Sequence, residues 1–433
     1  MKSLWIDDYD ENRKTVELKE NIDTDTVIVG GGLAGILSSH MLTGMGIDNV
    51  VMEAKNAGTG VTKNTTAKIT SQHGIIYSKI EKKYGLGFAK EYFSANQKAL
   101  EMYRQLSNDI ACDFEEKTAY VYSTDNRKKL EEEYKIYRKL GIDSRFLENP
   151  SIPIKTVGAL GMENQAQFHP IKFINEMAKN INIYENTFVT EILPGKVVAQ
   201  QGTISARRII LTTHYPMVNL KGLYFAKLYQ HRTYALALTN AFDPNGMYVD
   251  ENLKGLSFRN YNDYLILVGG SHRTGHQGGG WNELRDIAKS ICPSANEQYH
   301  WATQDCMSLD SIPYIGRLQK NNTELYIASG FNKWGMTGSM VAAQLLSEII
   351  ADGVGKSSQL FCPSRSMMSP QLFVNLGQAV WGLLSFGKRC THMGCALKWN
   401  PQEHTWDCPC HGSRFDSKGN LIDNPAKKGK DIG

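Results

Sequence analysis

The chain has 433 residues, of which 41% are hydrophobic and 21% charged, and its formal net charge is +4. That length gives room for two or three domains with a sizeable core, and the composition is that of an ordinary globular protein. The small net charge and the lack of a basic stripe interleaved with aromatics exclude nucleic acid as the expected partner.

Residues 1–21 read as a polar leader without the apolar run of a secretory signal, so a cytoplasmic location is expected. Thr26-Val27-Ile28-Val29 is a β-branched run of the kind found in buried parallel strands. It breaks at Gly30-Gly31-Gly32, residues 33–45 follow with helical spacing, and Val50-Val51-Met52-Glu53 reads as the next strand. Residues 79–147 are charged and helical in pattern. Strand-like runs return at 181–198 and 204–211, and alternating β segments with turn signals such as Asp243-Pro244-Asn245-Gly246 fill 234–268. A glycine-rich loop is expected at 269–280. A buried strand at 325–328 then leads through Gly330 into a long helix at 337–350. Residues 363–370 read as a linker, and 372–387 as a buried or interfacial helix, short of the roughly 20 apolar residues a membrane span needs. This order predicts two domains interleaved in sequence, one binding a dinucleotide and one built on an antiparallel sheet with helices.

Gly30-Gly31-Gly32-Leu33-Ala34-Gly35 fits G-x-G-x-x-G between a strand and a helix. Gly30, Gly32 and Gly35 allow the tight turn, the approach of backbone to pyrophosphate and close helix–strand packing. The helix N-terminus offers N–H groups to phosphate, and Glu53 can accept from a ribose hydroxyl pair. The fingerprint alone does not separate FAD from NAD. A second glycine segment, Gly330-Phe331-Asn332-Lys333-Trp334-Gly335-Met336-Thr337, offers another helix N-terminus for the far end of a long dinucleotide. With Glu53, the stretch 58–68 (including Thr65 and Thr66) and 209–213, these pieces make residues 22 to about 355 resemble FAD-dependent oxidoreductases of the D-amino acid oxidase and glycine oxidase superfamily. The resemblance implies non-covalently bound FAD, a late segment (Gly330, Trp334, Gly335, Met336, Thr337) lying over the flavin, and oxidation of a carbon–nitrogen or similar bond.

Cysteines cluster near the C-terminus. Cys390-Thr391-His392 and Cys408-Pro409-Cys410-His411 give C-x-H and C-x-x-H on two short loops. Two thiolates and two imidazoles can hold a [2Fe–2S] cluster asymmetrically, with a potential of roughly −150 to +300 mV against about −400 mV for all-cysteine ferredoxins. A Cys₂His₂ zinc site is the competing reading, on poorer spacing. The fuller pattern, Cys-Thr-His-Met-Gly-Cys with Cys-Pro-Cys-His-Gly-Ser, resembles Rieske proteins of respiratory cytochrome bc complexes. The resemblance implies that Cys390, His392, Cys408 and His411 are the ligands, that Cys395 and Cys410 form a disulfide joining the loops, and that Ser413 donates to a cluster sulfur. Phe415 stands where the respiratory proteins carry tyrosine, which implies a somewhat lower potential. Cys390 follows only 20 positions after Pro370, so the base strands of a full Rieske domain are expected to be missing. Asn424-Pro425-Ala426 replaces the usual Gly-Pro of the third loop.

The expected architecture is therefore α/β plus β. A Rossmann-like FAD-binding domain (parts about 22–78, 155–215 and 305–355) interleaves with a mixed antiparallel-sheet substrate domain (about 79–154 and 216–304), together 22–365. A linker (366–389) and a small, shortened all-β Rieske domain (390–433) follow. The whole chain resembles bacterial fusions of these two modules. For catalysis, Arg232 is the first choice to hold a substrate carboxylate, with Tyr234 beside it. Lys333 is placed near the flavin N1/C2=O edge, and His272 and Arg273 are candidates for the cleft wall. His73 reads as a structural histidine and His169 as a helix start. The expected function is oxidation of a small amine or amino acid by hydride transfer to FAD. Electrons then pass singly to the cluster and on to an external acceptor, protein or quinone, with no membrane span. The alternatives are an electron carrier or redox sensor without its own organic substrate, and a flavin oxidase with an empty Rieske domain.

Overall fold

The structure, a computed structural model, describes residues 2–8, 15–218, 220–319, 324–352 and 359–429. The first sheet is built on parallel pairings. Ile22–Val29 lies between Asn49–Met52 and Thr203–Leu211, and Leu325–Ser329 extends the sheet beyond the latter. Strand alternation sends Ile28, Val51 and Ile210 to one face, against the helices Leu33–Gly44 and Gly335–Asp352. Val27, Val50, Ile209 and Ile327 go to the other. Apolar residues on both faces are what a strand covered on both sides requires. The β-branched run therefore marks the centre of the fold.

The second sheet has nine strands. Leu228–Thr239 sits between Asn296–Ser308 and Tyr264–Arg273, and the order continues through Ser257–Tyr261, Met247–Asp250, Glu115–Ser123 and Gly158–Gln167 to Lys68–Ile69, with Ser144–Leu147 beside Gly158–Gln167. Three boundaries differ from the sequence reading. Gly158–Gln167, grouped above with the dinucleotide-binding parts, is paired along its length with Glu115–Ser123 and belongs to this sheet. That partner strand interrupts the helical pattern of 79–147, which otherwise forms Tyr77–Tyr84, Leu86–Ser107 and Arg127–Leu140. The loop expected from 269 begins only after Arg273, because pairing with Leu228–Thr239 continues to His231 opposite Arg273.

The leader is more than a polar tail. Trp5, on the short helix Leu4–Asp8, is fully buried, donates its indole N–H to the Thr65 carbonyl (2.7 Å) and meets His169 and Tyr261 edge-on. One aromatic in a charged stretch escapes periodicity analysis. Replacing Trp5 by alanine is expected to cost about 3–5 kcal/mol of stability, read from urea unfolding.

The C-terminal unit is a four-stranded antiparallel sheet, Lys398–Asn400, Thr405–Asp407, Arg414–Phe415 and Leu421–Asp423. Among the described residues no strand lies between Ser329 and Lys398. The expected linker contains the helix Pro370–Leu384, capped by the Ser369 hydroxyl and buried only at Asn375 and Gly382. The interior position open to that helix in the sequence reading is therefore corrected: its uncharged apolar face points outward.

Candidate functional site

The dinucleotide turn is shaped by what its glycines exclude. A Cβ on Gly35 would stand 1.9 Å from the Gly30 carbonyl oxygen, and Gly30 has φ +114°. The helix Leu33–Gly44 begins at Gly32, which supplies no side-chain cap; the Leu33 N–H donates to the Thr62 hydroxyl (3.3 Å), and the rest of the first turn can face a phosphate. Glu53 lies just past its strand and accepts from the N–H groups of Gly31 (2.7 Å) and Lys55 (2.9 Å). Burial raises its pKa against those hydrogen bonds. At the second segment, Thr337 donates to the Thr70 carbonyl (3.1 Å), and the Met336 carbonyl accepts from Tyr103 (2.9 Å). Trp334 stacks on His73 at 4.7 Å. His73 is satisfied by Tyr92 and the Thr70 carbonyl, and burial pushes its pKa down to about 3. It is a structural histidine. His169 caps the helix Pro170–Ala178 through Nδ1. Thr65 and Thr66 lie on the loop clamped by Trp5 and by Arg259, whose guanidinium donates to the Thr66 carbonyl (2.7 Å).

The two cysteine loops close on each other. Cys390, Cys395, Cys408 and Cys410 are all buried, as is His411. The sulfurs of Cys395, Cys408 and Cys410 lie within 4.8 Å of one another, and Cys390 is in hydrogen-bond contact with Cys408 and Ser413. The His392 and His411 rings stand 5.0 Å apart at 87°. The Nδ1 atom of His411 is buried without a hydrogen-bond partner, while its ring hydrogen-bonds the Phe225 backbone. An orphaned buried imidazole nitrogen beside buried thiols is the donor set a [2Fe–2S] cluster takes. The sulfurs of Cys395 and Cys410, expected to pair, lie within 4.8 Å of each other and are not bridged in the structure. Cys410 has Cys408 as well as Cys395 within reach, and proximity alone does not select the pair. Ser413 also accepts from the Ala426 N–H (3.0 Å), tying the third loop down. Asn424 donates to the carbonyls of Thr213 (2.7 Å) and Tyr215 (3.0 Å). The altered third loop is thus a tether to the larger body.

Comparison with known proteins agrees with both sites. A family model described as FAD dependent oxidoreductase matches residues 25–349, and one for the Rieske [2Fe-2S] domain matches 373–431. The chain belongs to the FAD dependent oxidoreductase family. A protein of Bacillus subtilis (strain 168) named as the Rieske 2Fe-2S iron-sulfur protein YhfW is 33% identical, over 95% of this chain and 93% of its own. The gamma-glutamylputrescine oxidoreductase of Escherichia coli (strain K12) is 23% identical over 77% of this chain and 85% of its own. Among solved structures, glycine oxidase from Geobacillus kaustophilus superposes with a TM-score of 0.67 at 16% identity, covering 80% of this chain and all of that one. As a member of this family carrying a Rieske domain, the protein is an FAD-dependent oxidoreductase that binds FAD and a [2Fe–2S] cluster. Among the described residues, no helix is long and apolar enough to cross a membrane.

In this FAD dependent oxidoreductase the strand Leu228–Thr239 separates two environments by simple alternation. Thr233 points toward Lys333, whose ammonium donates to Thr233 (2.6 Å), Ser271 (3.1 Å) and Asp305 (3.0 Å). Gln230, Arg232 and Tyr234 point toward the Rieske domain. Arg232, expected to hold a substrate carboxylate, is instead buried in an ion pair with Glu403, Nε to Oε1 at 2.9 Å. Tyr234 meets His272 (3.1 Å) and Asn400 (3.3 Å). Arg273 donates to the Pro409 carbonyl (3.2 Å) and to Asn375 (3.0 Å). Arg232, Tyr234 and Arg273 form the docking surface for the Rieske domain and not a substrate cleft, with His272 behind Tyr234. Arg232 has no partner visible in its neighbourhood of the sequence, because Glu403 lies 171 positions away.

The small cavity between the nine-stranded sheet and the late glycine segment is lined by Lys68, Thr70, Gln72, Tyr120, Met247 and Trp334, among others. Lys68 donates to Ser257 (2.7 Å) and Thr66 (3.3 Å), and burial, aided by Arg259, holds its pKa well below that of a free lysine. Lys68 was not among the expected catalytic residues. The signal for it was the alternation Lys68, Thr70, Gln72, which brings polar groups to the cavity from the short strand Lys68–Ile69 and the residues just after it.

Proposed function

We propose that the protein oxidises a small amine or amino acid and delivers the electrons singly, by way of its Rieske centre, to an external acceptor, protein or quinone. When bound, FAD supplies a two-electron acceptor for carbon–nitrogen oxidation and the [2Fe–2S] cluster a one-electron site. The observation that carries the relay is Gln230. Its amide donates to the His411 carbonyl (2.6 Å), and its carbonyl oxygen meets His214 (3.2 Å) and accepts from Gln304 (2.6 Å). Gln304 also donates to the Gly412 carbonyl (2.9 Å), and Ser329, next to Gly330, bonds the His214 carbonyl at 2.5 Å. A continuous hydrogen-bonded path therefore runs from the late glycine segment to a cluster loop. Cys390, His392, Cys408 and His411 hold the cluster in this reading, and Cys395 and Cys410 are the pair that bridges the loops.

The substrate class is the one in the relatives' names, gamma-glutamylputrescine and glycine. Lys68 supports it: a buried amine of lowered pKa lining the cavity can take the proton from a substrate ammonium. Lys68→Met is expected to keep its flavin and lose roughly 10²-fold in kcat/KM. The wild-type rate rises with pH as Lys68 deprotonates, and that limb is absent from the variant's pH profile.

Anaerobic mixing with a panel of amines and amino acids tests the whole reading. Bleaching of the flavin, followed by the low-temperature paramagnetic resonance signal of a reduced Rieske cluster, with average g below that of all-cysteine clusters, is the expected result. Bleaching without the signal removes the relay, and no bleaching by any member of the panel removes the substrate class.

A further inference from the structure

The helix Pro370–Leu384 contains no charged residue. Its two buried positions face the protein. Asn375 donates to the Ala226 carbonyl (3.0 Å), and a Cβ on Gly382 would stand 2.6 Å from the Cys410 sulfur. The other face is open and apolar. Phe373, Val380 and Leu383 lie on it, with Trp381 68% exposed, Leu384 72% and the following Phe386 97%. Contiguous exposed side chains of this size mark an interaction surface.

The surrounding charge selects the occupant. From residue 353 to residue 402 the sequence has no aspartate or glutamate, in a chain with 44 of them. Arg365 in this stretch is taken up by Asp310 (2.7 Å). Lys388 and Arg389 follow the helix, and Lys398 lines the same groove as Trp381 and Trp399. Lys388 lies over the Trp406 ring, and Arg389 donates to the carbonyls of Leu383 (2.9 Å) and Gly394 (3.1 Å). These cations are thus held beside the helix in a stretch of sequence without carboxylates, a one-sided charge that a self-complementary dimer face does not favour. An apolar, aromatic helix face bordered by lysine and arginine fits an anionic lipid surface, with acyl chains meeting the leucines and phenylalanines and headgroup phosphates meeting the cations.

We propose that this face seats the protein on an anionic lipid bilayer, the helix lying in the plane of the headgroups without crossing. Gly382 against Cys410 then holds a cluster loop directly behind the membrane-facing helix. The groove beside it, about 490 Å³ and lined by His276, Gln378, Trp381, Trp399 and Pro409, opens next to that surface.

The test is co-sedimentation of the full-length, cofactor-loaded protein with vesicles of phosphatidylcholine containing about 30% phosphatidylglycerol, against phosphatidylcholine alone. Partition to the anionic vesicles is expected to be about tenfold stronger and to weaken in high salt. The double variant Trp381→Glu, Phe386→Glu is expected to lose about tenfold in partition with its absorption spectrum unchanged. Should that variant lose its spectrum, Phe386→Ser alone, at a fully open position, gives the same comparison with a smaller loss. Absence of binding to anionic vesicles at low salt overturns the proposal, as does equal binding by the variants. A dimer that the double variant converts to monomer, with no vesicle binding by either, assigns the face to a second copy instead.

Discussion

Glu403→Gln is expected to detach the Rieske domain from the flavoprotein body. Glu403 is fully buried between Arg232 and Arg414, which donates to it at 2.7 Å, and Arg414 also binds Asp407 (3.1 Å) and Asp423 (3.0 Å). Removing one member of such a cluster strands a buried guanidinium, and the loss is about 3–5 kcal/mol. Replacing the whole cluster by apolar residues would cost far less, so the effect belongs to the unpaired charge and not to any large net gain from the pair. The pH dependence follows. Burial opposes ionisation of Glu403, but Arg232 and Arg414 outweigh it and hold the carboxyl below the usual range. A depressed carboxyl contributes stability above its unfolded pKa of about 4.3, lost as pH falls through the lower folded value. Limited proteolysis should therefore release the C-terminal unit from the wild type only in acid, and from the variant at neutral pH. Equal resistance of the two at neutral pH would contradict the assignment.

The same cluster shows where the sequence stops being legible. Local patterns were readable because their physics is local. Gly30 to Gly35 forms a turn between neighbouring elements, and the cysteine and histidine loops sit within 22 residues. The β-branched run and the long helix announced themselves by burial period. What could not be read is contact between distant parts. Nothing near Arg232 announces Glu403, nothing near Asn424 announces the carbonyls of Thr213 and Tyr215, and Trp5 in a charged leader gives no hint of a socket formed by His169 and Tyr261. The catalytic candidates were misplaced for two reasons. Arg232 was chosen as a cation for a substrate carboxylate, but alternation turns it and Tyr234 toward the docked Rieske domain. His272 and Arg273 were placed in a loop, but strand pairing runs through both, and Arg273 reaches the Pro409 carbonyl of that domain.

Gly35→Ala is expected to abolish flavin binding outright. The added methyl would lie 1.9 Å from the Gly30 carbonyl oxygen and 3.0 Å from the Thr212 hydroxyl. Neither neighbour can yield cheaply. The Gly30 carbonyl is backbone of the phosphate turn, and Thr212 bonds the carbonyls of Val29 and Gly30 from the adjacent strand (3.0 and 2.9 Å). Relief requires the helix Leu33–Gly44 to move off the sheet, which takes its N-terminal turn away from the pyrophosphate position and breaks packing at the fully buried Ile36 and Leu37. Overpacking of this kind costs about 1–3 kcal/mol or more in stability. The larger effect is on the cofactor, because charge stabilisation at a helix terminus falls off within one turn. The purified variant should be colourless in the flavin bands while its iron content, held by loops outside this domain, persists. Retention of stoichiometric flavin by the variant would mean that the turn does not approach the pyrophosphate as closely as the glycine spacing demands.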